Sequence, residues 1–411
     1  MRISQFLTLA CAFIVTISAG AVECEKINNL DAIVDCLLEK HPQVNLAKLN
    51  VDIASGEINR ASQRINPVLD WEGNEAQNRN GFSQEINLKH TIELGSKQSA
   101  RVKFAEAGAN LEKIGVDKEY NKAKIQLILN FYRYRQILHE LKIVEENRDT
   151  FKKMISQYRR IGKLNPEQEV STNVFTMTME EVRLKYHHLE NERDEILANF
   201  EIVLGKKFVP KENQLPPVDH HWPTLKSGTM NGPLAKESDA KLIQAKKLYD
   251  LEKSKSWPNL AIGPRVQTRP GPQGGSFVGA AVSLPIPVLS LNGGGREKAL
   301  ALQRKREIEK RLIERKLQIE SRRLVTTYNR SIESHSKAIK TSTILREHKK
   351  LHRMIGRGVI SPVMVIELHR ELIEFYEALH EHELDAVKTR WQYYSLHGKL
   401  DQEKILEKEV N

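Results

Sequence analysis

The chain has 411 residues, 28% of them charged and only 6% aromatic, with a formal net charge of +11 at pH 7. This composition suits long solvated helices better than one thick globular core. The basic balance does not indicate nucleic acid, because Glu and Asp run through every basic stretch and the chain opens on an export signal.

That signal is Met1-Arg2, an apolar run from Phe6 to Ile17, then Ser18-Ala19-Gly20-Ala21, so residues 1–21 read as a signal peptide cut after Ala21. The run is shorter than the roughly 20 apolar residues of a membrane-spanning helix, and no later segment reaches that length. A lipid anchor is not expected either, since Cys11 sits inside the apolar run and Cys24 follows the poor context Val22-Glu23. In an oxidising compartment Cys24 and Cys36 can pair or stay as two thiols, and the sequence leaves both open.

From there one unit is written twice. A helix runs into Ser62-Gln63-Arg64-Ile65-Asn66-Pro67-Val68-Leu69, and a second runs into Lys253-Ser254-Lys255-Ser256-Trp257-Pro258-Asn259-Leu260, so Pro67 and Pro258 mark the start of strands. The first hairpin goes from Val68 to Gln77, through Asn78-Arg79-Asn80-Gly81, and back from Phe82 to Leu94. On its return, Ile86, Leu88, Ile92 and Leu94 share one face, broken by His90, against Glu85, Asn87, Lys89, Thr91 and Glu93. The second goes from Leu260 to Thr268 and returns from Phe277 to Ile286, with Val278, Ala280, Val282, Leu284 and Ile286 opposite Gly279, Ala281 and Ser283.

After each hairpin a glycine transition, Gly95 or Gly293-Gly294-Gly295, opens a long helical pattern, from Ser96 to Ile161 and from Arg296 to Arg357. At about 1.5 Å per residue the first would extend on the order of 100 Å. Each stops at the same punctuation, Gly162-Lys163-Leu164-Asn165-Pro166 and Gly358-Val359-Ile360-Ser361-Pro362, before a return helix. The organisation is therefore repeat 22–204, a linker or equatorial segment 205–232, repeat 233–400 and a solvated tail 401–411.

Four strands of about ten residues have membrane-spanning length, yet cannot close a barrel, which takes about eight. Several chains must contribute. Amphipathic helices this long likewise need partners along their apolar seams.

This order of elements resembles the TolC family of outer-membrane factors, and most closely its CzcC-like heavy-metal branch. The resemblance is carried by Leu30 to His41-Pro42, the Pro67 strand start, Val282-Ser283-Leu284-Pro285-Ile286-Pro287 leading into Gly293-Gly294-Gly295, and the paired helical turns. It implies a mainly α chain with a β-barrel part: a homotrimer whose twelve strands form one barrel in the outer membrane, continued by a periplasmic α-helical tunnel. It also implies a passive efflux conduit that docks on a periplasmic adaptor and an inner-membrane transporter of resistance-nodulation-division type. The chain departs from the family at the turns, where an acidic residue six positions after the glycine is replaced by Gln168 and Met364.

The expected sites follow from this. Gly162, Lys163, Leu164, Asn165, Pro166, Gly358, Val359, Ile360, Ser361 and Pro362 form the partner-docking tips, and Ile86, Leu88, Ile92, Val282 and Leu284 face lipid. The pairs His187-His188, His220-His221 and His380-Glu381-His382 show no metal-ligand spacing and read as solvated. The run Arg304-Lys305-Arg306 to Arg322-Arg323 alternates with Glu307, Glu309, Glu314 and Glu320, which makes a charged helix face. Gly293 to Gly295 lack the Lys-Ser or Lys-Thr of a phosphate loop. No nucleophile with a base appears, so an enzyme is not expected, and neither is a cofactor. The competing class is a periplasmic coiled-coil adaptor or scaffold, which would leave the two alternating hairpins without a purpose.

Overall fold

The computed structural model describes residues 24–75, 81–161, 163–218, 222–225, 228–271, 274–337, 341–356 and 360–405. The signal segment, Asn78 to Asn80 of the first turn, Gly162, Gly358, Val359 and His220-His221 lie outside them.

Two helices open the chain, α1 (Leu30–Lys40) and α2 (Pro42–Ser62). The Asn29 side chain caps α1 by accepting from the backbone of Asp31 (2.9 Å). The proline at the head of α2 occupies a position whose amide would be unpaired anyway. Pro67 then precedes β1 (Val68–Glu75), which pairs with β2 (Phe82–Glu93). Next come α3 (Lys97–Arg159), of 63 residues and so about 95 Å long, and its return α4 (Pro166–Leu204). The second copy supplies α5 (Pro233–Ser254), β3 (Asn259–Arg269) behind Pro258, β4 (Gly275–Ser283), α6 (Gly293–Lys337), α7 (Thr341–Gly356) and α8 (Pro362–His397).

The four strands form one antiparallel sheet in the order β1-β2-β3-β4, so the copies join where β2 meets β3. That seam carries Gly263-Pro264 in an inner strand, where proline cannot donate to a ladder. The pairing accordingly skips from Asn87↔Arg265 to His90↔Ile262. A Cβ at Gly263 would lie 1.7 Å from the Leu88 carbonyl oxygen, so only glycine fits there.

Below the sheet the helices pack in the order α2-α3-α5-α6, with buried Ala105, Ala109, Ala240 and Ala245 letting backbones approach. Farther along, α3 packs on α4 and α8, and larger side chains take over. Phe175, Val182, Leu189, Ile196 and Val203 of α4 are all buried and recur every seven residues, as do Ile137, Val144 and Phe151 of α3. That period is the coiled-coil seam the sequence called for.

The segment 205–232 is fastened rather than loose. Phe208 and Leu225 are buried, and the Tyr328 hydroxyl donates to the Pro223 carbonyl (2.6 Å). The Gln214 amide donates to the carbonyls of Glu25 (3.1 Å) and Ile27 (2.7 Å) beside a disulfide joining Cys24 to Cys36.

Four expectations need correction. Of the described part of the expected solvated tail, Asp401, Gln402 and Lys404 are exposed, but Ile405 is buried and its amide donates to Asp31 (2.7 Å), which fastens the tail to α1. The second long helix starts at Gly293, three residues before the expected Arg296, because the Arg296 amide already donates to the Asn292 carbonyl (3.1 Å) and closes a first turn over the glycines. Leu94 and Leu284 each lie one residue past the end of their strands. At Leu284 the cause is the following Pro285 and Pro287, which lack the amides a ladder needs.

Candidate channel surfaces

The register places side chains on two chemically opposite faces of the sheet. One face holds Leu69, Trp71, Ile86, Leu88, Ile92, Ile262, Val266, Val278 and Val282, all substantially exposed. Val278 is 82% exposed and Leu69 66%, far beyond what a water-facing sheet of this size carries without a cover. The other face is polar. There Lys89 pairs with Asp70 (2.8 Å), Asn87 donates to Glu85 (2.8 Å), and Arg265 reaches across from β3 to Glu85. Leu284 is 49% exposed and follows this strip without being part of the ladder.

Both lateral edges stay open. Among the described residues, β1 and β4 each have a neighbour on one side only, and the helices beneath those edges show unpartnered apolar stripes. On α2 the stripe is Leu46, Leu49 and Ile53, and on α6 it is Ile308, Leu312 and Ile319, each more than half exposed. Their spacing of three, four and seven is visible in the sequence, but nothing local says which helices end up at the edges. The same holds for Val170, Val174, Met177 and Leu184 on α4.

At the far end, Asn165 and Gln168 close a reciprocal box: the Asn165 side chain accepts from the Gln168 amide (2.8 Å), and the Gln168 side chain accepts from the Asn165 amide (3.0 Å). This gives Gln168 a local task at the position where the resembled family carries an acid. Ser361 caps α8 more weakly, accepting from Met364 (3.4 Å). Lys163, Leu164, Asn165 and Pro166 thus sit at one helix turn, and Ile360, Ser361 and Pro362 at the other.

Of the histidines expected to be solvated, His187, His188 and His382 are exposed, and His380 departs from the expectation. His187 is solvated and lies beside Glu190 (3.3 Å), but His380 is buried. Its Nδ1 donates to Glu140 (2.6 Å) and its Nε2 lies 3.4 Å from His139 Nδ1. Arg133 binds Glu140 (2.8 Å) and Glu192 (2.7 Å), tying α3 to α4, and Gln136 donates to Glu383 (2.7 Å). Burial, together with the neighbouring His380, pushes the His139 imidazole down to about 4. Burial alone would raise Glu140, but hydrogen bonds from His380 and Arg133 hold its carboxyl below the usual range. The α8 seam proves polar: His369, Tyr376, Glu383, Arg390 and His397 are buried at intervals of seven. Reading only adjacent histidines hid this, whereas counting by sevens would have found it.

The basic run on α6 pairs locally, as Arg306 with Glu309 (2.6 Å), or with α5, as Lys310 with Asp239 (2.6 Å). Among the described residues no group of three His, Cys, Asp or Glu is placed to hold a metal ion, and no helix is long and apolar enough to cross a membrane.

No protein-family model matches the sequence, and no curated protein matches it. Solved structures do match in shape. The MtrE outer membrane channel of Neisseria gonorrhoeae, solved in its open state, is 13% identical over 90% of this chain and 89% of its own, with a TM-score of 0.69. The CmeC outer membrane channel of Campylobacter jejuni is 14% identical over 93% and 87%, with a TM-score of 0.68. The outer membrane protein VceC of Vibrio cholerae is 12% identical over 90% and 96%, with a TM-score of 0.68. The chain therefore has the fold of these outer-membrane channels across nearly its whole length, the fold that the TolC-family resemblance implies.

Proposed function

We propose that the protein is the outer-membrane channel of a tripartite efflux system, a passive homotrimeric conduit with no catalytic site. One observation carries this: a four-stranded sheet with an apolar outer face, a charged inner face and two open edges, each edge lying above an unpartnered helix stripe. In lipid every backbone amide and carbonyl needs a partner, so open edges are tolerable only when another copy closes them. Three copies supply twelve strands, and the stripes on α2 and α6 meet at the same seams. A periplasmic scaffold would have no use for such a sheet.

In this reading Ile86, Leu88, Ile92 and Val282 face outer-membrane lipid, with Leu284 just below them, while Asp70, Glu85, Lys89 and Arg265 line the lumen. The turns at Lys163–Pro166 and Ile360–Pro362 are the ends that dock on a periplasmic adaptor and an inner-membrane pump of resistance-nodulation-division type. Within the class, the Val282–Pro287 stretch favours the CzcC-like heavy-metal branch. Gene neighbours encoding a metal pump would support that placement, and neighbours encoding a multidrug pump would overturn it.

The experiment is fractionation followed by sizing in mild detergent, where a trimer recovered from outer membranes is expected and a monomer released by salt would refute the reading. Leu88→Arg should lose about 2–4 kcal/mol of insertion free energy near the bilayer midplane, while Thr91→Arg on the polar face should insert normally. For the tips, cysteine crosslinking from Lys163 to an adaptor should succeed, and export should fall when Leu164 is replaced by Asp.

A further inference from the structure

The two copies leave the sheet differently. Between β2 and α3 the chain needs only residues 94–96, whereas between β4 and α6 it spends residues 284–292 on the same task. The extra length is not demanded by geometry, since the first copy turns without it. It is also chemically distinct. From Pro270 to Gly295 there is no charged residue, in a chain that is 28% charged. Within it Ile286 is 76% exposed, Val288 78% and Leu289 99%, with Leu284 and Leu291 about half exposed. Pro285 and Pro287 remove two amide donors, lowering the cost of leaving water. Among the described residues the loop is held at its far end, where the Ser256 hydroxyl donates to the Leu291 carbonyl (2.8 Å) and the Asn292 side chain donates to Glu252 (2.7 Å). Immediately after it come Arg296 and the exposed Lys298.

We infer that residues 284–291 form a membrane-interface foot, which inserts its apolar side chains into the periplasmic leaflet just below the barrel's lipid-facing belt. This rests on the channel reading above. The occupant is lipid because the strip, interrupted only by Ser290, continues the exposed face of β4 through Val278 and Val282 with no charged residue, and because the next basic side chains stand where phospholipid headgroups would be. A neighbouring copy would instead be met along the strand edge, which lies at right angles to that face.

The test places a spin label at Leu289→Cys and, as reference, at Leu88→Cys, with each full-length protein reconstituted as a trimer in phosphatidylethanolamine and phosphatidylglycerol vesicles. Both labels should collide with oxygen several-fold more often than with a water-soluble nickel chelate. If Leu88 lies in lipid but Leu289 collides mainly with the chelate, the foot is in water and the inference fails while the channel stands. A label at Leu289 shielded from both reagents would assign the loop to a neighbouring copy and overturn the inference equally. If Leu88 itself is in water, the channel reading falls and the foot with it.

Discussion

The two copies start from similar sequence and end in different mechanical roles. In the first, the chain leaves β2 through Gly95 and Ser96, both in the left-handed region (φ 70° and 58°), and Arg101 then locks the corner. Its two terminal guanidinium nitrogens hold Glu93 (2.8 and 3.1 Å), and the group also donates to the carbonyls of Ala61 (2.9 Å, from Nε) and Gln63 (3.1 Å). In the second, Asn292, itself left-handed (φ 53°), makes the comparable tie to Glu252, and the Ser256 hydroxyl donates to the Leu291 carbonyl (2.8 Å). The long helices follow suit: α3 is buried along most of its length, while α6 buries only Ala299, Leu317, Leu324, Tyr328 and Ser331. A repeat laid out as a sheet and a row of helices has one copy's long helix in the middle and the other's at the edge. Identical patterning therefore does not produce identical burial, and the edge copy waits for a neighbour.

The contrast can be broken most severely at the seam joining the copies. Gly263→Val must displace the Leu88 carbonyl, so trimer yield in outer membranes should drop to near zero. Normal yield would mean that β2 and β3 slide to accommodate a side chain. Next in size is the Arg133 tie between α3 and α4. Arg133→Leu leaves Glu140 and Glu192 without their cation and should cost about 3–5 kcal/mol in thermal unfolding, since a buried charge loses its partner.

The corners should rank third. Arg101→Ala is expected to cost about 1.5–3 kcal/mol, the range for charged hydrogen bonds, against about 1 kcal/mol for Asn292→Ala. Equal losses would show that the second corner is held by contacts other than Asn292. The pH dependence probes the interface between α3 and α8. His139 is neutral in the fold down to about pH 4, while an unfolded histidine takes a proton near 6.5. The unfolded state thus binds more protons between those values, and stability should fall as pH drops from 6.5 toward 4. The loss adds to that of Glu140 at still lower pH, where its favourable bonds to His380 and Arg133 are protonated away. His139→Phe should flatten the first part of the curve in melts at stepped pH. Smallest of all is the cap comparison: Asn165→Ala should cost about 1 kcal/mol, and Ser361→Ala less, because its bond is longer.

Much of this was legible in the sequence because it is local. Alternation along Ile86, Leu88 and Ile92 announces a two-faced strand, and Pro67, Pro258, Pro166 and Pro362 each stand at the start of an element. What stayed hidden was relational. Nothing near Leu46 or Ile308 distinguishes an edge helix from an inner one, because that depends on the order in which four helices line up. His380 looked like one of three solvated clusters, yet its environment is set by Glu140, which lies 240 residues away in sequence. The burial of Ile405 likewise depends on α1, at the opposite end of the described chain.

That meeting at α1 also sets an order of events. Gln214 from the segment between the copies, Ile405 from the last stretch and the Cys24–Cys36 disulfide converge on α1 and the residues just before it. A disulfide forms in an oxidising compartment, so in an exported chain this junction closes only after translocation. On the channel reading proposed above, the chain would reach the periplasm with this junction unfastened, and oxidation would then act as its clasp.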